Sequence, residues 1–187
     1  MILIIDCGSE KTKNIGEIIK PNIDVNICKL NDFKLNYLKN IKGVIISGAP
    51  ILLSEVDTKP YIEKFKWIKT TKVPILGICF GHQIIGLIYG SFVKKIVPVR
   101  TWEKINTIKS SDLLFSLPLI FEMMEDHCEI ISIPKQFNHI ASSNSAANEM
   151  MEHKEKKMFG VQFHPEVSDD IGQVLLGNFI KICLNNK

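Results

Sequence analysis

The stretch Val73-Pro74-Ile75-Leu76-Gly77-Ile78-Cys79-Phe80-Gly81 places a cysteine between an apolar run and a helical pattern. The apolar run predicts a buried strand, and residues 83–89 predict the helix that follows. A Gly-x-Cys-x-Gly sequence between strand and helix is the cysteine form of a nucleophile elbow. Gly77 and Gly81 permit a turn too sharp for flanking side chains. The helix N-terminus favours thiolate over thiol, so Cys79 is the predicted nucleophile.

A second segment, Gln162-Phe163-His164-Pro165-Glu166, supplies what such a thiol needs. An ordinary cysteine, with a pKa of about 8.5, is only slightly ionised at neutral pH. His164 is the predicted base, and Glu166 is predicted to orient and stabilise its imidazole. On an extended segment, side chains two residues apart point the same way. Either motif alone is more often structural, but the two together predict a Cys-His-Glu triad.

The pattern of apolar runs predicts an α/β fold. Strands are predicted at residues 2–5, 25–28, 43–47 and 73–79, with helices at 15–19, 61–68 and 83–89 between or after them. Shorter strands, some antiparallel, are predicted at residues 92–99, 105–108, 129–133, 137–141 and 158–163, before a final helix capped by Asp170. This alternation predicts an open, mainly parallel twisted sheet with helices on both faces, as in flavodoxin-like folds.

Composition favours one domain spanning residues 1–187 with a single sizeable core. The formal charge of +3 is small and its lysines are scattered, which argues against a nucleic-acid partner. No apolar run reaches membrane length, and residues 1–6 are interpreted as a strand rather than a signal. The expected location is therefore the cytoplasm.

The remaining titratable residues show no pattern of their own. The cysteines are Cys7, Cys28, Cys79, Cys128 and Cys183. They form no CxxC pair and no metal-ligand spacing, so we expect reduced thiols and no metal site. Solvent exposure is expected for His82, His127, His139 and His153, and a loop position for Asp112 and Asp126.

Three blocks of sequence resemble the class I glutamine amidotransferases. They are residues 45–50, 76–83 and 159–167, which stand in the order of that family and span most of the chain. The resemblance implies a glutaminase that takes L-glutamine and releases ammonia for a synthetase. Within the family, residues 4–9 and 133–137 are most similar to the glutaminase subunits of two-subunit GMP synthases.

The resemblance also implies the oxyanion and substrate contacts. The backbone N–H of Phe80, directly after the nucleophile, is one expected oxyanion donor. The other is expected from Gly48 or Ala49, in a loop where the family carries two glycines. The alanine preserves a backbone donor only if its φ and ψ are open to an L-residue. Gln83 is expected to bind the substrate glutamine.

The chain contains no phosphate-binding loop of its own. We therefore expect no cofactor here, and a separate ATP pyrophosphatase subunit that carries ATP and Mg²⁺. Departures from the family at Glu10, residues 124–129 and residues 168–170 fall where partner or substrate contacts are expected. Two alternatives stay open: an amidotransferase or γ-glutamyl hydrolase acting on another compound, and a glutamine-binding regulatory module with a decayed site.

Overall fold

The computed structural model of the chain describes residues 1–186. Its strands are β1 Ile2–Asp6, β2 Val25–Lys29, β3 Gly43–Ile46, β4 Ile75–Ile78, β5 Val93–Val99, β6 Trp102–Thr107, β7 Ile120–Met124, β8 His127–Ile131, β9 Phe137–Ser142, β10 Met150–His153 and β11 Met158–Val161. Its α-helices are α1 Thr12–Ile19, α2 Lys59–Phe65, α3 Phe80–Ile88 and α4 Asp169–Asn185. Within this described part, no helix has both the length and the apolar character that a bilayer span requires.

Nine strands form one sheet in the order β2-β1-β3-β4-β11-β10-β9-β6-β7. The strands from β2 to β11 run parallel to their neighbours, and those from β11 to β7 pair antiparallel. Strands β5 and β8 form a separate antiparallel ribbon. The predicted α/β fold, with antiparallel strands in the second half, is confirmed.

Strand β1 shows why helices cover both faces of the sheet. Its residues Ile2, Leu3, Ile4 and Ile5 are all fully buried. Because side chains alternate along a strand, Ile2 and Ile4 belong to one core cluster and Leu3 and Ile5 to the other. Residues of α1 and α4 pack in the first cluster, and residues of α2 and α3 in the second. Each face of the parallel half is thereby closed by helices.

Several boundaries differ from the sequence-based prediction. Strands β7 and β10 are not predicted from sequence, and β6 begins at Trp102 rather than at residue 105. Ile120 in β7 is 59% exposed, so the apolar residues of this strand do not all lie on its buried face. The final helix begins at Asp169, and Asp170 lies in its first turn instead of capping it.

The pairing of strands changes from parallel to antiparallel at β11, beside the elbow. Strand β11 pairs with β4 in parallel, with Val161 opposite Ile78. The N–H of Cys79 then donates to the carbonyl of Val161 at 2.8 Å. Residues 162–166 therefore leave the sheet next to the cysteine, at the carboxyl ends of two neighbouring strands, where open α/β sheets bind ligands.

Candidate active site

Cys79 occupies a strained backbone conformation between β4 and α3. Its φ is 50° and its ψ is −103°, and it is one of few non-glycine residues with positive φ in the described chain. Such a conformation costs on the order of 1–3 kcal/mol and persists only where the surroundings enforce it. The carbonyl of Cys79 accepts from the N–H of Gln83 at 3.0 Å, which fixes the turn to the helix.

The glycines of the elbow are required by close packing. A Cβ on Gly77 would lie 2.5 Å from the carbonyl carbon of Gly81. A Cβ on Gly81 would clash with the backbone carbonyl of Ile46 in β3. Neither neighbour is a flexible side chain, so both contacts exclude a larger residue, as the sharp turn predicted.

His164 and Glu166 form a buried pair beside the elbow. His164 Nδ1 lies 2.7 Å from Glu166 Oε1, and the two residues are 3% and 4% exposed. Burial alone would lower the pKa of His164, but the adjacent Cys79 and Glu166 side chains raise it well above 6.5. The expected extended segment is a short 3₁₀ turn at Pro165–Val167, in which the two side chains still meet.

The backbone around His164 is held from two sides. The N–H of His164 donates to the carbonyl of Met124 at 2.9 Å. Ser168 Oγ donates to the carbonyl of His164 at 2.6 Å and accepts from the N–H of Met124 at 3.0 Å. Ser168 therefore fixes the segment that carries His164 to the end of β7, a role that sequence analysis did not assign.

The loop after β3 approaches the same site. A Cβ on Gly48 would lie 3.3 Å from His164 Cε1 and 3.7 Å from Cys79 Cβ, so this position is tightly enclosed. Ala49 is not among the residues with positive φ, and its backbone is therefore open to an L-residue. Within residues 1–186, the N–H groups of Ala49 and Phe80 donate no hydrogen bond. Both donors are free for a ligand.

A cavity of about 540 Å³ opens above the cysteine. Its wall includes the side chains of Cys79, His164, Gln83, Lys11, Arg100 and Asp126. Lys11 Nζ lies 2.6 Å from Asp126 Oδ2, and Arg100 Nε lies 3.3 Å from Asp126 Oδ1. The cavity thus presents the Cys79 thiol at its floor and paired charges on its wall.

Gln83 lies at this wall, and its side-chain NH₂ group already donates hydrogen bonds within the protein. Its Nε2 donates to the carbonyl of Glu129 and to Gln162 Oε1, both at 3.2 Å. Gln162 Nε2 in turn lies 3.6 Å from Cys79 Sγ. The predicted substrate contact of Gln83 stays a prediction. Gln162 is a residue near the thiol that sequence analysis did not single out.

The expectation of exposed histidines is wrong for His82, His127 and His153. They are 0%, 6% and 8% exposed. Burial lowers the pKa of His82 to about 3, so its imidazole is neutral behind the elbow. A Cβ on Gly160 would lie 2.5 Å from His82 Nδ1, which explains the glycine there. The prediction failed because their burial depends on contacts between distant segments, helix against sheet for His82 and strand pairing for His127 and His153, which local sequence does not reveal.

Comparisons with known proteins identify the family to which this chain is similar. The family profile described as Glutamine amidotransferase class-I matches residues 3–182. A glutamine-hydrolyzing GMP synthase subunit from Methanocaldococcus jannaschii is 34% identical over 191 residues, covering 98% of this chain and 97% of that protein. The glutamine-hydrolyzing GMP synthase from Wigglesworthia glossinidia brevipalpis is 35% identical over 97% of this chain but only 37% of its own length.

A solved structure is similar over the whole fold. The crystal structure of a candidate GMP synthase subunit from Thermoplasma acidophilum superposes with a TM-score of 0.89. The two sequences are 29% identical, and the match covers 98% of this chain and 93% of the other.

Proposed function

The chain belongs to the class I glutamine amidotransferase family, and from that membership we propose that it hydrolyses L-glutamine through Cys79, His164 and Glu166. The observation that carries the proposal is the strained elbow at Cys79, which opens into a cavity beside a buried His-Glu pair. Unrelated enzymes use the same combination of nucleophile, base and orienting group for acyl transfer.

The chemistry proceeds in two displacements. The thiolate of Cys79 attacks the side-chain amide carbon of glutamine and forms a tetrahedral oxyanion. His164, held as imidazolium by its raised pKa, gives its proton to the departing nitrogen, which leaves as ammonia. A water molecule then gives a proton to His164 and attacks the resulting thioester, which releases glutamate and regenerates the thiolate.

Glu166 has a supporting role in this scheme. Its carboxylate, 2.7 Å from His164 Nδ1, fixes the tautomer and stabilises the charged imidazolium. Because Glu166 is 4% exposed, water screens this interaction little.

The oxyanion requires donors that are in place before reaction. We assign this role to the backbone N–H of Phe80 and to the Gly48–Ala49 loop, because the N–H groups of Phe80 and Ala49 have no other partner among the described residues. Removal of such a donor costs roughly 3 kcal/mol in the barrier, or about a hundredfold in rate.

The ammonia is proposed to serve GMP synthesis from XMP on a separate polypeptide. Relatives of the same length are named as one subunit of a glutamine-hydrolyzing GMP synthase, and a longer relative carries the matching region as 37% of one chain. ATP and Mg²⁺ would bind to the second subunit, an ATP pyrophosphatase. Residues 1–187 would form one glutaminase domain, and the cytoplasm is the proposed location.

A coupled assay tests the proposal. The purified chain is supplied with glutamine, alone and with an ATP pyrophosphatase subunit, ATP and XMP, and glutamate and GMP are measured. We expect slow hydrolysis alone and faster hydrolysis with GMP formation when the partner is present, with Cys79→Ala inactive in both. Rapid hydrolysis unchanged by the partner would favour a stand-alone γ-glutamyl hydrolase. Binding of glutamine without turnover in either mixture would favour a regulatory module.

A further inference from the structure

Three side chains of types that can bind metal ions meet beside the cavity, whose lining includes one of them, His127. Glu125 lies between β7 and β8, His127 begins β8, and Glu149 precedes β10. One ligand atom from each of the three lies within 4.8 Å of the others. Glu125 and Glu149 are fully buried, and the His127 side chain is 1% exposed.

This cluster holds polar atoms that nothing in the described chain satisfies. Both oxygens of Glu125, Oε2 of Glu149 and Nε2 of His127 are buried without a hydrogen-bond partner. Leaving several buried polar groups unpaired is costly. Native proteins seldom leave several such atoms together unless a ligand or ion occupies the space between them.

The surrounding hydrogen bonds orient these atoms toward one another. His127 Nδ1 lies 3.1 Å from the carbonyl of Glu129, an acceptor only, so Nδ1 carries the proton. The lone pair of Nε2 is then directed to Glu125 Oε2, 3.3 Å away. Ser143 Oγ donates to Glu149 Oε1 at 2.7 Å and leaves Oε2 free. A histidine that binds a metal through one ring nitrogen usually donates the N–H of the other to a carbonyl or carboxylate in this way.

We propose that Glu125, His127 and Glu149 bind a divalent transition-metal ion of the Zn²⁺ class. An imidazole with two carboxylates suits Zn²⁺ better than Mg²⁺ or Ca²⁺, which prefer oxygen ligands alone. Two ligands bonded to a tetrahedral Zn²⁺ at about 2.0–2.1 Å lie about 3.3 Å apart, which equals the His127–Glu125 separation. A water molecule would complete the fourth position. The proposal departs from the sequence-based expectation of no metal site.

The ion would be structural, and it would act on the wall that faces the substrate. The neighbour of Glu125, Met124, accepts the N–H of His164 at 2.9 Å. The carbonyl of Glu149 accepts the N–H of Gln162 at 2.8 Å. A metal that joins Glu125 to Glu149 thus connects the two segments, one ending β7 and one preceding β10, whose carbonyls hold Gln162 and His164 in place. The site does not depend on the proposed glutaminase activity, and it is tested separately.

The test measures metal on the intact chain. Cys79→Ala protein is used, because a thiol beside an imidazole offers Zn²⁺ a competing site. The protein is stripped with a chelator, dialysed against limiting Zn²⁺ or Mg²⁺, and its metal content is measured by mass spectrometry. We expect about one Zn²⁺ per chain and no Mg²⁺, with a higher melting temperature in the zinc-loaded protein.

Matched variants locate the ion. Glu149→Gln keeps its size and should weaken Zn²⁺ binding by at least about tenfold, and His127→Gln should do the same. Glu122→Gln, an exposed carboxylate on β7, should bind as the parent does. Circular dichroism verifies that each variant folds. If the parent protein binds no zinc, the proposal is overturned, whether or not the variants fold. A proton shared by the two carboxyls would then explain how the cluster is neutralised. Undiminished binding by folded Glu149→Gln also overturns it.

Discussion

At the residue scale, Cys79 differs from the other cysteines in its surroundings. Burial raises the pKa of the Cys7 and Cys183 thiols to about 12, and burial also raises the pKa of Cys28 and Cys128. Cys79 alone combines a helix N-terminus with an adjacent imidazole and a cavity. This combination, which the other four cysteines lack, is the reason for proposing Cys79 as the nucleophile.

This difference predicts selective labelling. A diazo-ketone analogue of glutamine should modify Cys79, because this thiol lies beside His164 and lines the cavity. Peptide mapping by mass spectrometry identifies the labelled residue. Cys128 lines the same cavity and is an internal control that should stay unmodified. Label on Cys128 in place of Cys79 would contradict the assignment, and Cys79→Ala should abolish glutaminase activity with the fold retained.

The pair of His164 and Glu166 predicts a pH dependence. The pKa of His164 is raised above 6.5 in the folded protein, so imidazolium persists at neutral pH and is lost as pH rises through the raised value. In the proposed mechanism the protonated ring donates to the departing ammonia, so kcat/KM should fall on that alkaline side. Glu166→Gln removes a charge that stabilises imidazolium and should move the alkaline fall to lower pH. Glu122→Gln is the control, and an alkaline limb unmoved by Glu166→Gln would argue against the pair.

At the element scale, the turn from β4 to α3 depends on the β3 backbone. Gly81 faces the carbonyl of Ile46, and Gly77 faces Gly81 itself. The helix, the elbow and the neighbouring strand therefore pack backbone against backbone, with no space for an added side-chain atom. This close packing enforces the φ of 50° at Cys79, which no isolated turn would keep.

That packing predicts opposite effects for two glycine substitutions. Gly81→Ala should lower the free energy of unfolding by about 1–3 kcal/mol, because its methyl group meets fixed backbone. Gly177→Ala, in α4, has nothing within 4 Å of the added Cβ. It should raise the free energy of unfolding by roughly 0.5–1 kcal/mol through helix propensity. Denaturant unfolding measures both, and equal stability of the two variants would refute the explanation.

At the scale of the whole molecule, the site lies where three parts of the chain meet. The elbow belongs to the parallel half of the sheet. His164 follows β11, the strand at which parallel pairing gives way to antiparallel pairing, and Glu129 belongs to the β5–β8 ribbon. The carboxylate of Glu129 accepts from the N–H groups of Leu53 and Ser54, each at 2.8 Å. This carboxylate attaches the ribbon to the chain segment that follows the Gly48–Ala49 loop.

The attachment predicts a local effect of Glu129→Gln. The amide would present an NH₂ to one of the two N–H groups, leaving it unpaired in a buried position, at a cost of about 1–3 kcal/mol. Hydrogen exchange at the amides of Leu53 and Ser54 should accelerate, while α4 should keep its protection. Glu122→Gln should leave both regions unchanged. Unaltered exchange at Leu53 and Ser54 would show that Glu129 does not hold this segment.

The local sequence determined the elbow at Cys79, the His164–Glu166 pair and the parallel half of the sheet. Each is encoded over a short stretch, by glycine spacing, by fixed separation along the chain or by fully apolar strands. The tertiary structure alone decided the burial of His82 and His127, the strands β7 and β10, and the contact of Gln162 with Cys79. The meeting of Glu125 with Glu149 belongs to the same group. The strands β7 and β10, the burial of His127 and the meeting of Glu125 with Glu149 depend on antiparallel pairing between distant segments, whose partners no local pattern specifies. The burial of His82 and the contact of Gln162 with Cys79 depend on the packing of α3 and β4 beside the distant strand β11.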